Sequence, residues 1–255
     1  MNHMKCRACG HNKLKIFHAQ VKENCRPDRE ADLWDWYKCQ NCGSDTSTEP
    51  DPDAAKIYDA DYPKIRLTML NQTSDLLNVP LENVRSAVEW SITEYNTNVD
   101  YINSVRDSLP DNTVLEIGSC EGAGIIAFER QNYEAQGWDL MPPTICDKSQ
   151  VTIGKCFSAD QMEKQFSVVI LREVIEHVTD WESLLKEIHA VLLPEGVLQV
   201  QTPLPCSKRD GTPYQQDHIV IFSANELQRQ LIKHKFIILS SLYWECGQMV
   251  MVKKI

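Results

Sequence analysis

The chain has 255 residues, a mass of 29.2 kDa and 42% apolar content, enough for a substantial core and too much for a module that needs disulfide staples. Its 26 Lys and Arg against 36 Asp and Glu give a formal net charge of −10, which argues against a general polyanion binder, because basic side chains supply most non-specific nucleic-acid affinity. No run of about 18 apolar residues could span a bilayer, and the opening MNHMKCRACG lacks a signal-peptide core, so a cytoplasmic protein without membrane partners is expected.

Four of the ten cysteines form two C-x-x-C pairs, Cys6-Arg-Ala-Cys9-Gly10 and Cys39-Gln-Asn-Cys42-Gly43. Each pair offers two thiolates to one ion, and the following glycine lets the backbone fold behind them. Four sulfurs at this spacing suit a tetrahedral structural zinc in a small ribbon over residues 1–43, with a strand near Trp34 to Tyr37 leading into the second knuckle. Cys25 lies between the knuckles and is not expected to be a ligand. The ribbon carries eight Lys/Arg and five Asp/Glu, which leaves −13 on residues 44–255.

Ser44 to Asp53, SDTSTEPDPD, reads as a boundary, and residues 44–110 as a linker and helical cap region. Helices are predicted near 64–78 and 82–108, the second with Val84, Val88, Ile92, Tyr95, Val99, Ile102 and Val105 on one face; Tyr58 and Tyr62 are candidates for a substrate mouth. From residue 111 strands alternate with helices, the pattern of an α/β domain with a parallel sheet. Strands are expected at 113–117, 133–139, 151–154, 166–171 and 196–201, and helices at 122–131, 181–192 and 223–234, with Asp180 as a cap. Phe236 to Trp244 and Gln248 to Val252 read as a closing antiparallel hairpin. The polar loop from Pro203 to Pro213, with Lys208, Arg209 and Asp210, could serve as a lid.

Val114-Leu115-Glu116-Ile117-Gly118-Ser119-Cys120-Glu121-Gly122-Ala123-Gly124 is a strand, a glycine-bearing turn and a helix start. A second strand, Tyr133 to Asp139, ends in an acid 23 residues after Glu116. The G-x-G-x-x-G spacing of dinucleotide sites is absent. These segments, with Phe166 to Val178 and Leu192 to Pro203, resemble the class I S-adenosylmethionine-dependent methyltransferases. The resemblance implies a Rossmann-like seven-stranded α/β sheet, mostly parallel with an antiparallel carboxy-terminal hairpin. It places Glu116 near the methionine amino group of S-adenosylmethionine, Gly118, Ser119 and Gly122 under the cofactor, Asp139 on the ribose, and Arg172, Leu140, Cys156 and Phe157 nearby. Cys120 stands where the middle glycine usually sits, and Ser167 replaces a common Asp.

Arg172-Glu173-Val-Ile-Glu176-His177 follows the fourth strand. A helical turn there would put Glu173, Glu176 and His177 on one face, and His218 is the fourth candidate in a partial cage for a divalent ion. Oxygen and nitrogen ligands suit Mg²⁺, Mn²⁺, Fe²⁺ or Zn²⁺ alike, and a metal-free base at His177 or His218 is chemically adequate too. This E-x-x-E-H with a later His resembles the metal centre of small-RNA terminal 2′-O-methyltransferases and signatures of ubiquinone-pathway O-methyltransferases. The ribbon-plus-catalytic arrangement resembles bacterial sugar and natural-product methyltransferases. The resemblance leaves the acceptor open, and the acidity of residues 44–255 turns the expectation to O-methylation of a small or sugar-like acceptor. RNA methylation and a non-catalytic zinc-ribbon adaptor are the competing readings, and oligomeric state is not legible.

Overall fold

The computed structural model describes residues 4–20, 33–47, 81–206, 214 and 217–255. The readings at Cys25, Tyr58, Tyr62, helix 64–78, Lys208, Arg209 and Asp210 lie outside those residues. In chain order the elements are β1 (Leu14–Gln20), β2 (Leu33–Cys39), β3 (Asp45–Ser47), α1 (Leu81–Glu94), α2 (Asn96–Asn103), β4 (Thr113–Ile117), α3 (Ala123–Glu129), β5 (Glu134–Asp139), β6 (Val151–Ile153), β7 (Phe166–Arg172), α4 (Trp181–Val191), β8 (Leu192–Pro203), β9 (Val220–Ile221), α5 (Ala224–Lys233), β10 (Phe236–Trp244) and β11 (Gly247–Lys254). No helix among the described residues is long and apolar enough to cross a membrane.

Seven strands form one sheet in the order β10-β11-β8-β7-β4-β5-β6. The five from β8 to β6 are parallel, and β11 and β10 add antiparallel at one edge. Period-2 alternation sorts the central side chains between two faces. Val114, Val168, Ile170 and Val197 meet Ile92, Tyr95, Val99 and Ile102 of α1 to α2 and Ile125 and Phe128 of α3. Leu115, Ile117, Val169, Leu171 and Leu198 meet α4 and α5 on the other face. With both faces covered, the central strands TVLEI and FSVVILR read as nearly unbroken apolar runs.

The helix expected over 82–108 divides at Tyr95, whose N–H turns to Ile92 O at 3.1 Å, a tighter bond than the helical ladder. The weak helix formers Asn96, Thr97 and Asn98 follow this break. The apolar stripe nevertheless continues, with Ile92, Tyr95, Val99 and Ile102 buried and Val88 and Val105 packed beside them.

A larger correction concerns the expected boundary at Ser44. Asp45–Ser47 form a strand of a second sheet, ordered β1-β2-β3-β9, whose fourth member lies far along the chain at Val220–Ile221. Polar composition suggested a loop, yet Ser44 to Ser47 are fully buried. Ladder bonds satisfy the backbone, and the Asp45 carboxylate meets Lys38 Nζ at 2.8 Å and accepts the Tyr214 hydroxyl at 2.7 Å. Cys6, Ala8 and Cys39 share one apolar cluster with Trp181, Leu227 and Leu231. Trp181 Nε1 donates to Arg7 O at 3.0 Å, its ring meets Phe222 edge to face at 5.3 Å, and Gln230 Nε2 donates to Ala8 O at 3.0 Å.

Because Trp181 bridges the amino-terminal sheet and the catalytic layers, Trp181→Ala is expected to cost about 3–5 kcal/mol in urea unfolding. A cost of a few tenths would show that the two parts do not share a core.

Candidate functional site

β4 and β7 are neighbours in the sheet, although the chain leaves β4 towards β5 and β7 towards β8. The reversal opens a crevice beyond their carboxyl ends. At the end of β4, Gly118 has φ 79° and donates its N–H to Trp138 O at 2.8 Å. A Cβ there would lie 2.5 Å from Val174 Cγ2, so the loop after β7 tolerates only glycine. Cys120 takes a left-handed φ of 47° where the resemblance has glycine, and its N–H donates to Asp139 Oδ2 at 2.7 Å. Asp139 Oδ1 accepts from Met141 N–H at 3.0 Å, so this acid clasps both turns. Gly122, with φ 95°, opens α3. Ser167 has another task at the far end of β7, where its hydroxyl meets Asp111.

Glu116 is 1% exposed, and a Cβ on Gly124 would come within 2.3 Å of its Oε2. Among the described residues neither carboxylate oxygen has a hydrogen-bond partner, nor has the buried Nε of Arg172. Burial pushes the Glu116 carboxyl up to about 8; the Tyr95 hydroxyl and Arg172 pull the other way without reaching hydrogen-bonding geometry, and Glu121 and Asp139 add to the rise. Asp139 is raised by burial as well, against its backbone bonds. The Arg172 guanidinium lies 4.4 Å over the Tyr95 ring, with Nη2 3.6 Å from Glu94 Oε2. Burial disfavours its charge, but Tyr95 and Glu94 outweigh this and hold its pKa above the ordinary value. Ser91 Oγ donates to Glu121.

The expected helical turn over 173–177 does not form. Glu173 has φ 53°, and only Ile175–His177 make a 3-10 turn. The Glu173 N–H donates to Gln201 O at 2.9 Å, and its Oε1 accepts from Gln201 Nε2 at 3.1 Å. Glu176, His177 and His218 nevertheless converge, with one ligand atom from each within 4.8 Å of the others. Glu173 is exposed and stands outside that group. Glu176 Oε2 accepts from Thr202 Oγ1 at 2.9 Å, while Oε1 is buried without a hydrogen-bond partner among the described residues. Burial and the nearby Glu173 charge raise the Glu176 carboxyl. His177 Nδ1 faces Asp217 O at 3.1 Å and Asp217 Oδ2 at 3.3 Å, Nε2 lies 3.9 Å from Glu176 Oε1, and the His177 and His218 rings are 4.6 Å apart.

Asp217 was not singled out in the sequence, though it adjoins His218. Tyr95 looked like any stripe position and Thr202 like any strand residue. Of the other cofactor candidates, Leu140 is partly buried and Cys156 exposed. Phe157 packs edge to face on Trp138 at 5.6 Å, and Ser119 Oγ is buried without a hydrogen-bond partner among the described residues.

Cys6, Cys9, Cys39 and Cys42 converge as the spacing requires. Cys6 Sγ is 3.7 Å from Cys42 Sγ, and Cys9 Sγ is 3.6 Å from Cys39 Sγ. Gly10 and Gly43 N–H groups close the knuckles on Cys6 O and Cys39 O at 2.8 and 2.9 Å. The hydrogen bond with Cys6, together with burial, pushes the Cys42 thiol up, so an ion must displace its proton to bind.

The Glu116 carboxyl ordinarily titrates near 4.5 and here near 8. Between those values the unfolded chain binds fewer protons, so this group makes cofactor-free stability fall as pH rises through that window. Glu116→Gln is expected to remove the slope, gaining on wild type by up to a few kcal/mol at pH 8.5 and little at pH 4.5 in denaturant unfolding. Parallel pH profiles for the two proteins would refute the buried-acid assignment.

Residues 88–241, more than half of the chain, match the family described as a methyltransferase domain. A 100-residue stretch is 33% identical to a ubiquinone biosynthesis O-methyltransferase of Rhodopseudomonas palustris (strain BisB18), covering 35% of this chain and 39% of that protein. The chain thus spans about two fifths of the length of that curated relative. Two solved structures share the fold at 14% identity. One is the 1,6-didemethyltoxoflavin-N1-methyltransferase of Burkholderia thailandensis with S-adenosylhomocysteine bound (TM-score 0.54, covering 85% of this chain and 97% of that one). The other is the magnesium protoporphyrin IX methyltransferase of Synechocystis PCC 6803 with S-adenosylmethionine bound (TM-score 0.53, 82% and 100%). The chain belongs to the methyltransferase-domain family, and its fold is that of the class I S-adenosylmethionine-dependent methyltransferases.

Proposed function

We propose that the chain transfers the methyl group of S-adenosylmethionine to a hydroxyl oxygen of a small or sugar-like acceptor. The reading rests on one juxtaposition at the carboxyl edge of adjacent strands: a buried carboxylate without a hydrogen-bond partner among the described residues, and a guanidinium held by Glu94 and Tyr95, beside a carboxylate–imidazole cluster. S-adenosylmethionine carries an ammonium, a carboxylate and a sulfonium, and is a net cation. Glu116 suits the ammonium and Arg172 the carboxylate, while Glu121 and Asp139 supply a negative potential for the whole. Asp139, a carboxylate with about four acceptor sites, keeps capacity for ribose hydroxyls beyond its two backbone bonds. Gly118 and Gly122 keep side chains off the floor of the crevice, with Ser119 in the same turn, and Leu140, Cys156 and Phe157 are the proposed adenine-side contacts.

On the acceptor side, Asp217 engages His177 at Nδ1, which leaves the Nε2 lone pair to take the hydroxyl proton. The donor set also fits a divalent ion, with two imidazoles suiting Mn²⁺, Fe²⁺ or Zn²⁺ at least as well as Mg²⁺: Glu176 Oε1 is a buried acceptor without a hydrogen-bond partner among the described residues, and the Asp217 bond is the kind that fixes a metal-ligating imidazole. Held by Glu176, His177 and His218, with Glu173 close by, such an ion would lower the acceptor hydroxyl's pKa. Identity to an O-methyltransferase supports oxygen as the target. The named substrates of the structural neighbours and the acidity of residues 44–255 support a small acceptor over RNA. Zinc suits the four cysteines, since bonds of about 2.3 Å in a tetrahedron set sulfurs about 3.8 Å apart, against the 3.6 and 3.7 Å between their paired sulfurs.

Because a bound ammonium favours the Glu116 anion, S-adenosylmethionine affinity is expected to rise by up to about tenfold per pH unit between pH 6 and 8, with proton release in calorimetry. Affinity independent of pH, or no binding, would sink this assignment, and no binding at all would leave the adaptor reading. His177→Ala is expected to lower kcat by about 10²- to 10⁴-fold with S-adenosylhomocysteine affinity retained. Wild-type turnover in that variant removes the site. Activity lost on chelation and restored by Mg²⁺, with the ribbon zinc in place, supports the ion; retained activity leaves proton transfer to His177 alone. A labelled-methyl screen of hydroxylated small molecules, sugar nucleotides and RNA ends tests the acceptor, and labelling of RNA alone would replace this reading.

A further inference from the structure

His218 and Asp217 reach the catalytic cluster on a strap that is not a strand of the seven-stranded sheet, which among the described residues touches it through side chains alone: Gln248 Nε2 donates to Phe222 O at 3.0 Å, and Ile219 and Phe222 pack in the core beside that sheet. Among the described strands β9, directly after them, pairs with β3 alone, in the register Asp45↔Ile221 and Thr46↔Val220. Ser47 N–H donates to Ile219 O at 3.1 Å, and Ile219 N–H donates to Glu176 O at 2.9 Å. The peptide next to His218 is therefore clamped between the amino-terminal sheet and the Glu176–His177 turn. Upstream on the strap, Tyr214 is buried against Phe17 and Trp36, with ring centroids 5.5 and 5.2 Å away, and its hydroxyl reaches Asp45. Downstream, Ser223 Oγ donates to Cys42 O at 2.5 Å and Ser223 N–H donates to Ser44 Oγ at 2.9 Å.

Strands of three and two residues carry too few ladder bonds to order themselves. Their order must come from what flanks them: β3 pairs with β2 over Trp36 to Lys38, β2 ends at Cys39, and β3 begins three residues after Cys42, with Thr46 Oγ1 3.8 Å from Cys6 Sγ. We propose that the four-cysteine knuckle is a positioning device for the catalytic cluster: metal closure of Cys6, Cys9, Cys39 and Cys42 fixes β3, and β3 sets the register of Asp217 and His218 against Glu176 and His177. This rests on the preceding reading of that cluster as the methyl-transfer centre. Glu116, Gly118, Asp139 and Arg172 belong to the other sheet and its loops, so cofactor affinity is expected to change less than turnover when the knuckle is opened.

The test uses the full chain with Cys42→Ser, because a chelator would strip an ion at the catalytic cluster as well. Expected are S-adenosylhomocysteine affinity near wild type, kcat lower by about 10- to 100-fold, faster amide exchange at Val220 and Ile221, and displaced His218 ring resonances in NMR. Cys42→His, which can still ligate zinc, is expected to restore kcat and the resonances. Unchanged exchange and His218 resonances in zinc-free Cys42→Ser would overturn the proposal. Should Cys42→Ser lose cofactor binding, the decision passes to Tyr214→Phe, which keeps the four thiolates. Moved His218 resonances with a several-fold loss of kcat support the coupling, and unmoved resonances reject it. His218→Ala separates the two claims. Wild-type kcat there would refute the catalytic reading, while exchange and NMR still judge the positioning.

Discussion

Parallel pairing of β4 with β7 is the constraint on which the rest of the site depends. Val114 to Ile117 align with Val168 to Leu171, so two chain segments more than fifty residues apart end side by side. One delivers Glu116 and the glycine turn, the other Arg172 and the Glu176–His177 turn. Because successive connections run to opposite sides of this pair, no crossover covers its carboxyl end. Side-chain alternation then sends Leu115 and Ile117 to one apolar layer and Val114 to the other, which locks the register that sets the site.

The crevice so formed is electrostatically costly. Glu116 is buried with no hydrogen-bond partner among the described residues, Asp139 and Glu121 stand near it, and the Arg172 cation is set among them. A protein selected only for stability would not keep an orphaned carboxylate beneath a helix whose glycine leaves no space for a methyl group. The arrangement makes sense as a receptor for a cationic ligand, whose binding would supply the missing charge partner. Strain is concentrated at the same edge: Gly118, Cys120, Gly122 and Glu173 all have positive φ, and two of these four are not glycine.

The amino-terminal cysteines are integral to the molecule and not an appendage. They share an apolar cluster with Trp181 and α5, and their sheet takes its fourth strand from the segment that carries His218. The acidic catalytic part and the four-cysteine part therefore fold against each other.

Period, spacing and glycine placement are local signals, and they sufficed for much of this protein. The strands at 113–117 and 166–172, the antiparallel closing hairpin, the four converging cysteines and the Asp180 cap were all legible because each depends on neighbours within a few residues or on a strict repeat. The rest was out of reach for a common reason. Asp45–Ser47 are polar and looked like a linker, but are buried because partners 169 to 176 residues away satisfy them. Glu173 was assigned to a helical turn from spacing alone, whereas its hydrogen bonds to Gln201 draw it out of that turn. Asp217, Tyr95 and Thr202 acquire their roles only through contacts made across the fold. The sequence by itself determined which chemistries are present, a thiolate set, a glycine turn between acids and a pair of imidazoles. Tertiary structure alone decided which of them meet, because side-chain alternation and strand order are settled by burial over the whole sheet and not by any local run of residues.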